Sequence, residues 1–350
     1  IAAIVLIIVL PLFYGITNLK LQTKSLEIPF PQPVDEWYQS KYIWGWGIAQ
    51  RFDIGPQDKP FEYFKNLKFY PENYINYKHE SNHTPIIWVS SRRIQEFSDI
   101  LDQIPYKFVL VTNDEDASFP YDYGLVPPSR IVKCLKIVNH PNVLHIFAQN
   151  CDDITSGRVS SIPIGIDFYY KLNMFSPQQQ ENLMDQVLAQ SAETIKRKCR
   201  IFVDFQHNNS SKYGCGRSKI TGEDRHDIFK KIVATGLVDY SNTRMERHDL
   251  WKHKSTYAFS VSPHGNGNDT YRSFEDLVLG CIVIVKTSVL DRLYDNLPVV
   301  IVKNWSEITE SNLNLWHKKF YDAFSNPEYR YRLTNEYWIQ KIKQKAQEYE

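Results

Sequence analysis

The sequence has no excess of charge of either sign. Its 41 basic and 40 acidic side chains leave a formal net charge of +1 over 350 residues. Proteins that bind nucleic acid usually carry a basic surface field, which this balance does not supply. We therefore expect no nucleic-acid partner.

Cysteine pairs and dinucleotide-binding motifs are also lacking. The five cysteines show no C-x-x-C spacing, so the sequence predicts neither a zinc site nor an even-numbered disulfide framework. No G-x-G-x-x-G follows a first strand with an acidic residue about 20 positions later, which is the pattern of NAD-binding folds. A dehydrogenase is therefore disfavoured.

Hydrophobic residues, in contrast, make up 43% of the chain and aromatic residues 14%. This composition supports buried cores and excludes a disordered chain. The length is sufficient for two domains of ordinary size.

The N-terminal stretch Ile1–Ile16 contains no charged side chain. It falls just short of the roughly 20 residues that a spanning helix needs. We predict that residues 1–19 form a single-pass membrane anchor, of Golgi or ER type or an equivalent, with Lys20 and Lys24 following it. A signal-peptide core and a buried strand and turn are the alternatives.

Residues 20–83 are aromatic-rich and irregular, and we predict a stem there. Trp44 and Trp46 flank Gly45 within this segment. Their rings either stack on a sugar face or wedge the stem against a domain, and the second use is the more common.

Regular structure is predicted from Thr84 onward. Pro85–Ser90 predicts a strand, Arg92–Gln103 a helix and Tyr106–Thr112 a second strand, which together form a βαβ unit with parallel strands. The element pattern then divides the chain into a first α/β domain (84–175), a connecting helix (176–198), a second α/β domain (199–325) and a C-terminal helix that can cross back onto the first domain (326–350).

Carboxylates follow the second predicted strand. Asp114, Glu115 and Asp116 come directly after it, and the carboxyl ends of parallel strands are where open α/β sheets bind ligands. Asp114 and Asp116 are therefore candidate catalytic residues, one of them as the general base that deprotonates an acceptor hydroxyl. Two alternatives stay open: an Asp-x-Asp metal clamp for a sugar nucleotide, in a different single-domain architecture, and an Asx turn that caps the next segment.

The stretch Tyr257–Val285 predicts a strand, a glycine-containing loop, a helix and a further strand. Gly265 and Gly267 suit tight turns and positive φ, and they let a ligand approach the backbone closely. Asp269 or Thr270 can cap the helix that follows. The N-terminus of that helix, preceded by an open loop, is suited to binding an anion.

Arg272 and Glu275 lie three residues apart on this helix, opposite its apolar stripe. An arginine there can reach phosphate in a forked geometry, and a carboxylate one turn further can accept hydrogen bonds from the vicinal hydroxyls of a ribose. These groups suit a nucleoside diphosphate carrying a sugar. In the alternative interpretation, G-x-G is only a turn and the two charges form a solvated surface pair.

A basic loop, His207–Arg225, follows the first strand of the second domain. In a doubly wound sheet it faces the helix at Thr270, so its cations can meet the diphosphate from the other side and stabilise a leaving group without metal. Arg217 and Arg225 are favoured over Lys219 because of their fork geometry. A solvated loop is the alternative.

The run SPHGNGNDTYRSFEDLVLGCIVIV, followed by LPVVIVKNWSEIT, resembles the nucleotide-sugar half of exostosin-like glycosyltransferases of the GT-B type. The shared pattern is a proline and glycine loop, a Ser/Thr-x-Arg-x-x-Glu helix start, a Gly-Cys strand and a later Leu-Pro strand. Val283 stands where that family usually has proline, and Asn304 where it usually has aspartate. HPNVLHIFAQN and SIPIGIDF resemble the end of the acceptor half, so the resemblance covers roughly 136–310.

The resemblance implies an α/β fold of the GT-B type, with two facing Rossmann-like domains behind an N-terminal hydrophobic anchor. It implies a hexosyl- or pentosyltransferase that moves a sugar from a nucleotide-sugar donor to a glycan or glycoconjugate hydroxyl. We predict no metal and no cofactor, because the helix N-terminus, Arg272 and the loop cations can hold the developing negative charge. The donor-binding residues would be His264, Gly265, Asn266, Gly267, Asp269, Thr270, Arg272, Glu275, Arg217, Lys219 and Arg225. The alternatives are a metal-dependent GT-A-like transferase that uses Asp114 and Asp116, and a sugar- or nucleotide-binding protein without turnover.

Overall fold

The fold is taken from a computed structural model, which describes residues 39–56, 68–78, 80–122, 126–153, 155–170, 172, 174–207, 224–320 and 322–350. The predicted anchor over 1–19 and the predicted phosphate ligands Arg217 and Lys219 lie outside these residues and stay predictions. Within the described ranges, no helix combines the length and the hydropathy required to cross a bilayer.

The first sheet has four parallel strands in the order β1-β2-β3-β4. They are Ile86–Ser90, Phe108–Asn113, Val143–Gln149 and Val159–Ile162. β1 and β2 are buried along their whole length, as is usual for parallel strands that are covered on both faces. The predicted βαβ unit is confirmed, although its helix is a regular α-helix only over Ile94–Ile100, with 3₁₀ turns at Ser91–Arg93 and Leu101–Gln103.

The second sheet has five parallel strands in the order β6-β5-β7-β8-β9. They are Lys198–Val203 (β5), Val238–Tyr240 (β6), Tyr257–Val261 (β7), Ile282–Lys286 (β8) and Val299–Val302 (β9). The chain passes from β5 to one neighbour, β6, and then crosses to the other side at β7. This reversal is a topological switch point, and the crevice outside its strand ends is where doubly wound sheets bind ligands.

Helices connect these strands. The described α-helices are α1 Gly45–Ala49, α2 Pro71–Ile75, α3 Ile94–Ile100, α4 Pro128–Asn139, α5 Pro177–Gln190, α6 Arg225–Val233, α7 Arg247–Lys254, α8 Tyr271–Val278, α9 Glu310–Phe320, α10 Pro327–Arg332 and α11 Asn335–Gln347. Further 3₁₀ turns lie at Thr194–Lys196, Asp291–Tyr294, Trp305–Glu307 and Ala323–Ser325. We refer to the described residues 40–175 as the first half and to the described residues 198–325 as the second half.

The C-terminal helix α11 lies against the first half. The Asn335 amide donates to the Lys41 carbonyl at 2.8 Å, and the Asn335 side chain donates to the Ser40 carbonyl at 2.7 Å and accepts from the Trp44 amide at 3.2 Å. At the other end of this segment, a Glu350 carboxylate oxygen accepts from the Thr84 amide at 3.1 Å. The end of the chain is thereby held beside the start of the first sheet.

The Trp44 and Trp46 rings are core side chains, with exposed fractions of 0% and 2%. Trp44 packs edge-on against Phe168 at a ring distance of 5.7 Å, and Trp46 against Trp88 at 6.3 Å. The sugar-stacking alternative for these rings is therefore wrong, because neither face is accessible to a ligand. The wedge interpretation is the one that fits.

One apolar cluster contains side chains from both sheets, from α8 and from α11, including Trp88, Phe147, Phe274, Val283 and Trp338. Two further clusters cover the outer faces of the first and the second sheet separately. The two halves therefore share one core in addition to having their own. We call the first of these clusters the shared core.

Candidate functional site

A cavity of about 940 Å³ lies at the carboxyl ends of β5, β6 and β7. Its wall is formed by the segments that follow these strands and by the first turn of α8, together with Asp116, Ile164, Asp167 and Tyr170 from the first half. We call it the switch-point cavity. Every predicted donor residue that the structure describes lines it, with the exception of His264.

The glycine loop before α8 packs closely against neighbouring groups. A Cβ atom on Gly265 would lie 2.9 Å from an Nη atom of Arg225, and one on Gly267 would lie 2.6 Å from the Asn150 side-chain nitrogen. Neither glycine adopts the positive φ that we expected, so that expectation is wrong. At Gly267 an added Cβ would also lie 2.9 Å from the Asp116 carbonyl oxygen, so glycine is needed there because the loop approaches the backbone of the first half.

Thr270 occupies the N-cap position of α8, but its side chain makes no capping hydrogen bond. The Thr270 hydroxyl instead pairs with the Ser262 hydroxyl at 2.7 Å. The backbone amide of Thr270 donates to Asp269 Oδ1 at 2.9 Å. The start of the helix is therefore fixed by Ser262 and Asp269 rather than by a side-chain cap at Thr270.

Asp269 connects the two halves. Its Oδ2 accepts from the Ile164 amide at 2.8 Å, and its own amide donates to Asn150 Oδ1 at 2.8 Å. The Tyr294 hydroxyl lies 3.3 Å from Oδ1. Burial raises the pKa of Asp269 to about 7, although these donors oppose the shift. The residue lines the cavity, but its polar atoms are engaged in holding the halves together.

Arg272 is part of a buried ion network. Its Nε donates to Asp204 Oδ1 at 2.6 Å, and Lys254 Nζ lies 2.9 Å from Asp204 Oδ2 and also pairs with Asp276. Lys254 is 1% exposed and Asp276 is fully buried. Burial acts to raise the pKa of Asp204, but the charges of Lys254 and Arg272 outweigh it and hold that pKa well below its usual range. The guanidinium is thereby held in a fixed position at the cavity wall.

Arg225 and Arg272 meet at one aromatic ring. The guanidinium carbon of each lies 6.0 Å from the centroid of the Phe205 ring. Arg225 begins α6, and its Nε donates to the His264 carbonyl at 2.8 Å. The structure thus brings together two of the predicted phosphate ligands, one from the end of the basic loop and one from α8, in a single cavity.

Glu275 is not a solvated surface residue. Its carboxylate pairs with Arg247, and the Trp251 indole nitrogen lies 3.4 Å from its second oxygen. Arg247 also donates to the Asp167 carbonyl at 2.6 Å and to Gln180 Oε1 at 3.0 Å. A ribose at Glu275 would therefore share the carboxylate with Arg247, using lone pairs that the protein leaves available.

Asp204, Arg247 and Lys254 are among the site residues that the sequence analysis missed. A signal was present for each of them. Asp204 directly follows β5, which is the same strand-end position that drew attention to Asp114. Arg247, Trp251 and Lys254 recur at i, i+4 and i+7 on α7, so they share one face of that helix.

A second cavity, of about 440 Å³, adjoins the first. It lies at the carboxyl ends of the first sheet and is lined by Arg92, Asp114, Glu115, Asp116, Gln149, Ile164 and Tyr271. Asp116, Ile164 and Tyr271 line both cavities. We call this the strand-end cavity.

The two candidate catalytic carboxylates have different surroundings. Asp114 is buried, with a left-handed φ of 77° that is rare for a residue other than glycine; its amide donates to Gln149 Oε1 at 3.1 Å. Asp116 is exposed, and its Oδ2 accepts from the Asn266 side chain at 3.1 Å. Across the described ranges, no three His, Cys, Asp or Glu side chains converge closely enough to bind a metal ion.

Comparison with known proteins finds likeness only to solved structures. No family model and no curated protein matches the chain. An alpha1,3-fucosyltransferase structure is 13% identical, with a TM-score of 0.36, covering 79% of this chain and 95% of that one. An alpha,alpha-trehalose-phosphate synthase (UDP-forming) from Burkholderia vietnamiensis is 10% identical, with a TM-score of 0.37 and 75% of each chain covered.

A third structure, described as trehalose-6-phosphate from E. coli bound with UDP-2-fluoro glucose, is 11% identical, with a TM-score of 0.39, and covers 75% of this chain and 74% of that one. At these identities and TM-scores, the likenesses do not define a family or an activity for this chain. The exostosin-like resemblance stays a prediction.

Proposed function

We propose that this protein is a glycosyltransferase that moves a sugar from a nucleoside diphosphate donor to a hydroxyl of a glycan or glycoconjugate, without a metal ion. The observation that carries the proposal is the convergence of Arg225 and Arg272 on Phe205 in the switch-point cavity. Two guanidinium groups can neutralise a diphosphate through forked hydrogen bonds. The site also lies at the place where doubly wound sheets bind nucleotides.

The chemistry follows from this placement. The bond between the anomeric carbon and the diphosphate oxygen breaks, and an acceptor oxygen forms the new bond to that carbon. Negative charge develops on the leaving diphosphate, where Arg225 and Arg272 stabilise it. We assign to Asp116 the role of the general base that takes the proton of the acceptor hydroxyl, because this residue borders both the switch-point cavity and the strand-end cavity.

We expect a nucleoside diphosphate to stabilise the protein against unfolding. Uridine, guanosine and cytidine diphosphates should be compared by urea unfolding, and the matching one, at 100 times its dissociation constant, should add about 2.7 kcal/mol. Stabilisation by none of the three would contradict the proposal. Transferase activity is then assayed in EDTA, with sugar donors of the same nucleotide. Activity that is lost in EDTA and restored by manganese would favour the metal-dependent alternative. Binding without any turnover would favour a nucleotide-binding protein.

Replacing Arg272 with glutamine should weaken binding of the nucleoside diphosphate by about 1.5–3 kcal/mol, the range for hydrogen bonds to charged groups. Binding of the matching nucleoside, which lacks phosphate, should change little. Both affinities are measured by calorimetry on protein whose folding is checked by circular dichroism, because Asp204 also loses a partner. Arg292→Gln, at an exposed position, is the control substitution of the same chemistry. If Arg272→Gln weakened the binding of the nucleoside and of the nucleoside diphosphate equally, the assignment would be contradicted.

A further inference from the structure

Arg247, the first residue of α7, connects α8 to the rest of the chain at the wall of the switch-point cavity. Its guanidinium pairs with Glu275 on α8 and donates to the Asp167 carbonyl of the first half at 2.6 Å. It also donates at 3.0 Å to Oε1 of Gln180, which lies on the connecting helix α5. One side chain therefore fixes Glu275 relative to two segments that lie outside the second half.

Aromatic rings restrict the position of this guanidinium. Its carbon lies 4.7 Å from the centroid of the Trp251 ring and 5.4 Å from that of the Tyr170 ring, and the Arg247 side chain is only 15% exposed. A guanidinium presents five N–H donors in a rigid fork, so it can bind three acceptors at once in a fixed geometry. The position of the Glu275 carboxylate is therefore determined by Arg247.

The Glu275 carboxylate has acceptor capacity on both of its oxygens. Oε1 pairs with Arg247, and Oε2 accepts from the Trp251 indole nitrogen at 3.4 Å. An ionised carboxylate has about four lone-pair sites, and these two described partners use one on each oxygen. The remaining site on each oxygen can accept from one of two vicinal hydroxyls, so the carboxylate can bind both hydroxyls of a ribose.

Glu275 lies three positions after Arg272 on α8, about 4.5 Å further along the helix axis, so a diphosphate at Arg272 places its ribose beside this carboxylate. On the basis of the proposed function, we propose that Arg247 is a positioning residue that holds Glu275 where its two oxygens accept from the 2′- and 3′-hydroxyls of the donor ribose. A ribonucleotide is then preferred over its deoxy analogues. Because Arg247 bonds to Asp167 and Gln180, this preference depends on the contact between the second half and the rest of the chain.

Deoxy analogues test this role by calorimetry. For the matching nucleoside diphosphate among those of uridine, guanosine and cytidine, the 2′-deoxy and the 3′-deoxy analogue should each bind the wild-type protein about tenfold more weakly, the effect of one hydrogen bond to a charged group. In Arg247→Met, both ratios should fall below about threefold, because a misplaced carboxylate forms poor hydrogen bonds. The affinity for the 2′,3′-dideoxy analogue should stay unchanged, since it presents neither hydroxyl to Glu275.

Three further variants separate positioning from support of the fold. Glu275→Ala should lower the same ratios, and its combination with Arg247→Met should add little, because the two residues act as a unit. Arg247→Lys keeps the positive charge but cannot hold three acceptors in a fork, so we expect it to fold and still to lower both ratios. Arg332→Met breaks an ion pair with Glu328 outside both cavities and should leave the ratios at their wild-type values.

Contrary results are distinguishable from one another. Equal weakening of the ribonucleotide and the dideoxy analogue in Arg247→Met would show that Arg247 only supports the fold, and would overturn its assigned role. Wild-type ratios in Arg247→Lys would overturn it as well, and this variant decides the question if Arg247→Met does not fold. A wild-type protein that binds ribo- and deoxyribonucleotides equally overturns the inference and leaves the proposed function in place, whereas failure of all nucleotides to bind overturns both.

Discussion

Replacing Lys254 with methionine should lower the free energy of unfolding by about 3–5 kcal/mol, the usual cost of removing one partner from a buried ion pair. The ammonium lies between Asp204 and Asp276; Lys254 and Asp276 are buried, and the Asp204 side chain, at the cavity wall, is 11% exposed. Methionine fills a similar volume but leaves Asp276 without its cation. Urea unfolding measures the loss, and Lys252→Met, on the exposed face of the same helix, is the control, for which we expect less than about 0.5 kcal/mol.

The loss in the free energy of unfolding caused by Lys254→Met should depend on pH. Burial already raises the pKa of Asp276 to about 6 in the native protein, so its contribution to stability is present at low pH and is lost as pH rises through that value. Removing the lysine charge raises this pKa further. The difference from wild type should therefore be smaller at pH 5 than at pH 8, and a deficit that is equal at both would mean that lost packing, rather than charge, is the cause.

Trp44→Ala should destabilise the protein by about 3–5 kcal/mol through loss of buried area and formation of a cavity. The ring is fully buried, and it packs against Phe168 while its backbone bonds to Asn335. Calorimetric and urea unfolding measure the change. Trp316→Ala is the control: this ring on α9 is only partly buried, so its truncation should lower the free energy of unfolding by less. A loss at Trp44 below about 1 kcal/mol, accompanied by weaker sugar binding, would restore the sugar-stacking interpretation.

The general architecture could be predicted because it depends on local patterns. Runs such as Tyr257–Val261 are continuously apolar, as strands buried on both faces must be, and the helices between them carry ordinary apolar stripes. The short strand Val238–Tyr240 was missed, because only one of its three residues is buried. The placement of the glycine loop and α8 at a strand end was also predictable from the order of elements.

The partners of the site residues could not be predicted in the same way. Glu275 pairs with Arg247, which is 28 positions away, and Asp269 bonds to Ile164, which is 105 positions away. Periodicity assigns a residue to a face of its own helix but does not identify the opposing element. For that reason Asp269 was predicted to bind the sugar-nucleotide donor, whereas in the structure its carboxylate and its amide form hydrogen bonds with Ile164 and Asn150 of the first half.

The shared core also bears on turnover. A rigid-body separation of the halves would expose apolar side chains such as Phe147 and Phe274 together and would break the buried bonds of Asp269 to Ile164 and Asn150. Each of these changes carries a free-energy cost, so wide separation of the halves is disfavoured. For the proposed transfer reaction, we therefore expect product to leave through small displacements of the cavity wall, such as residues 241–245, rather than through reorientation of the halves.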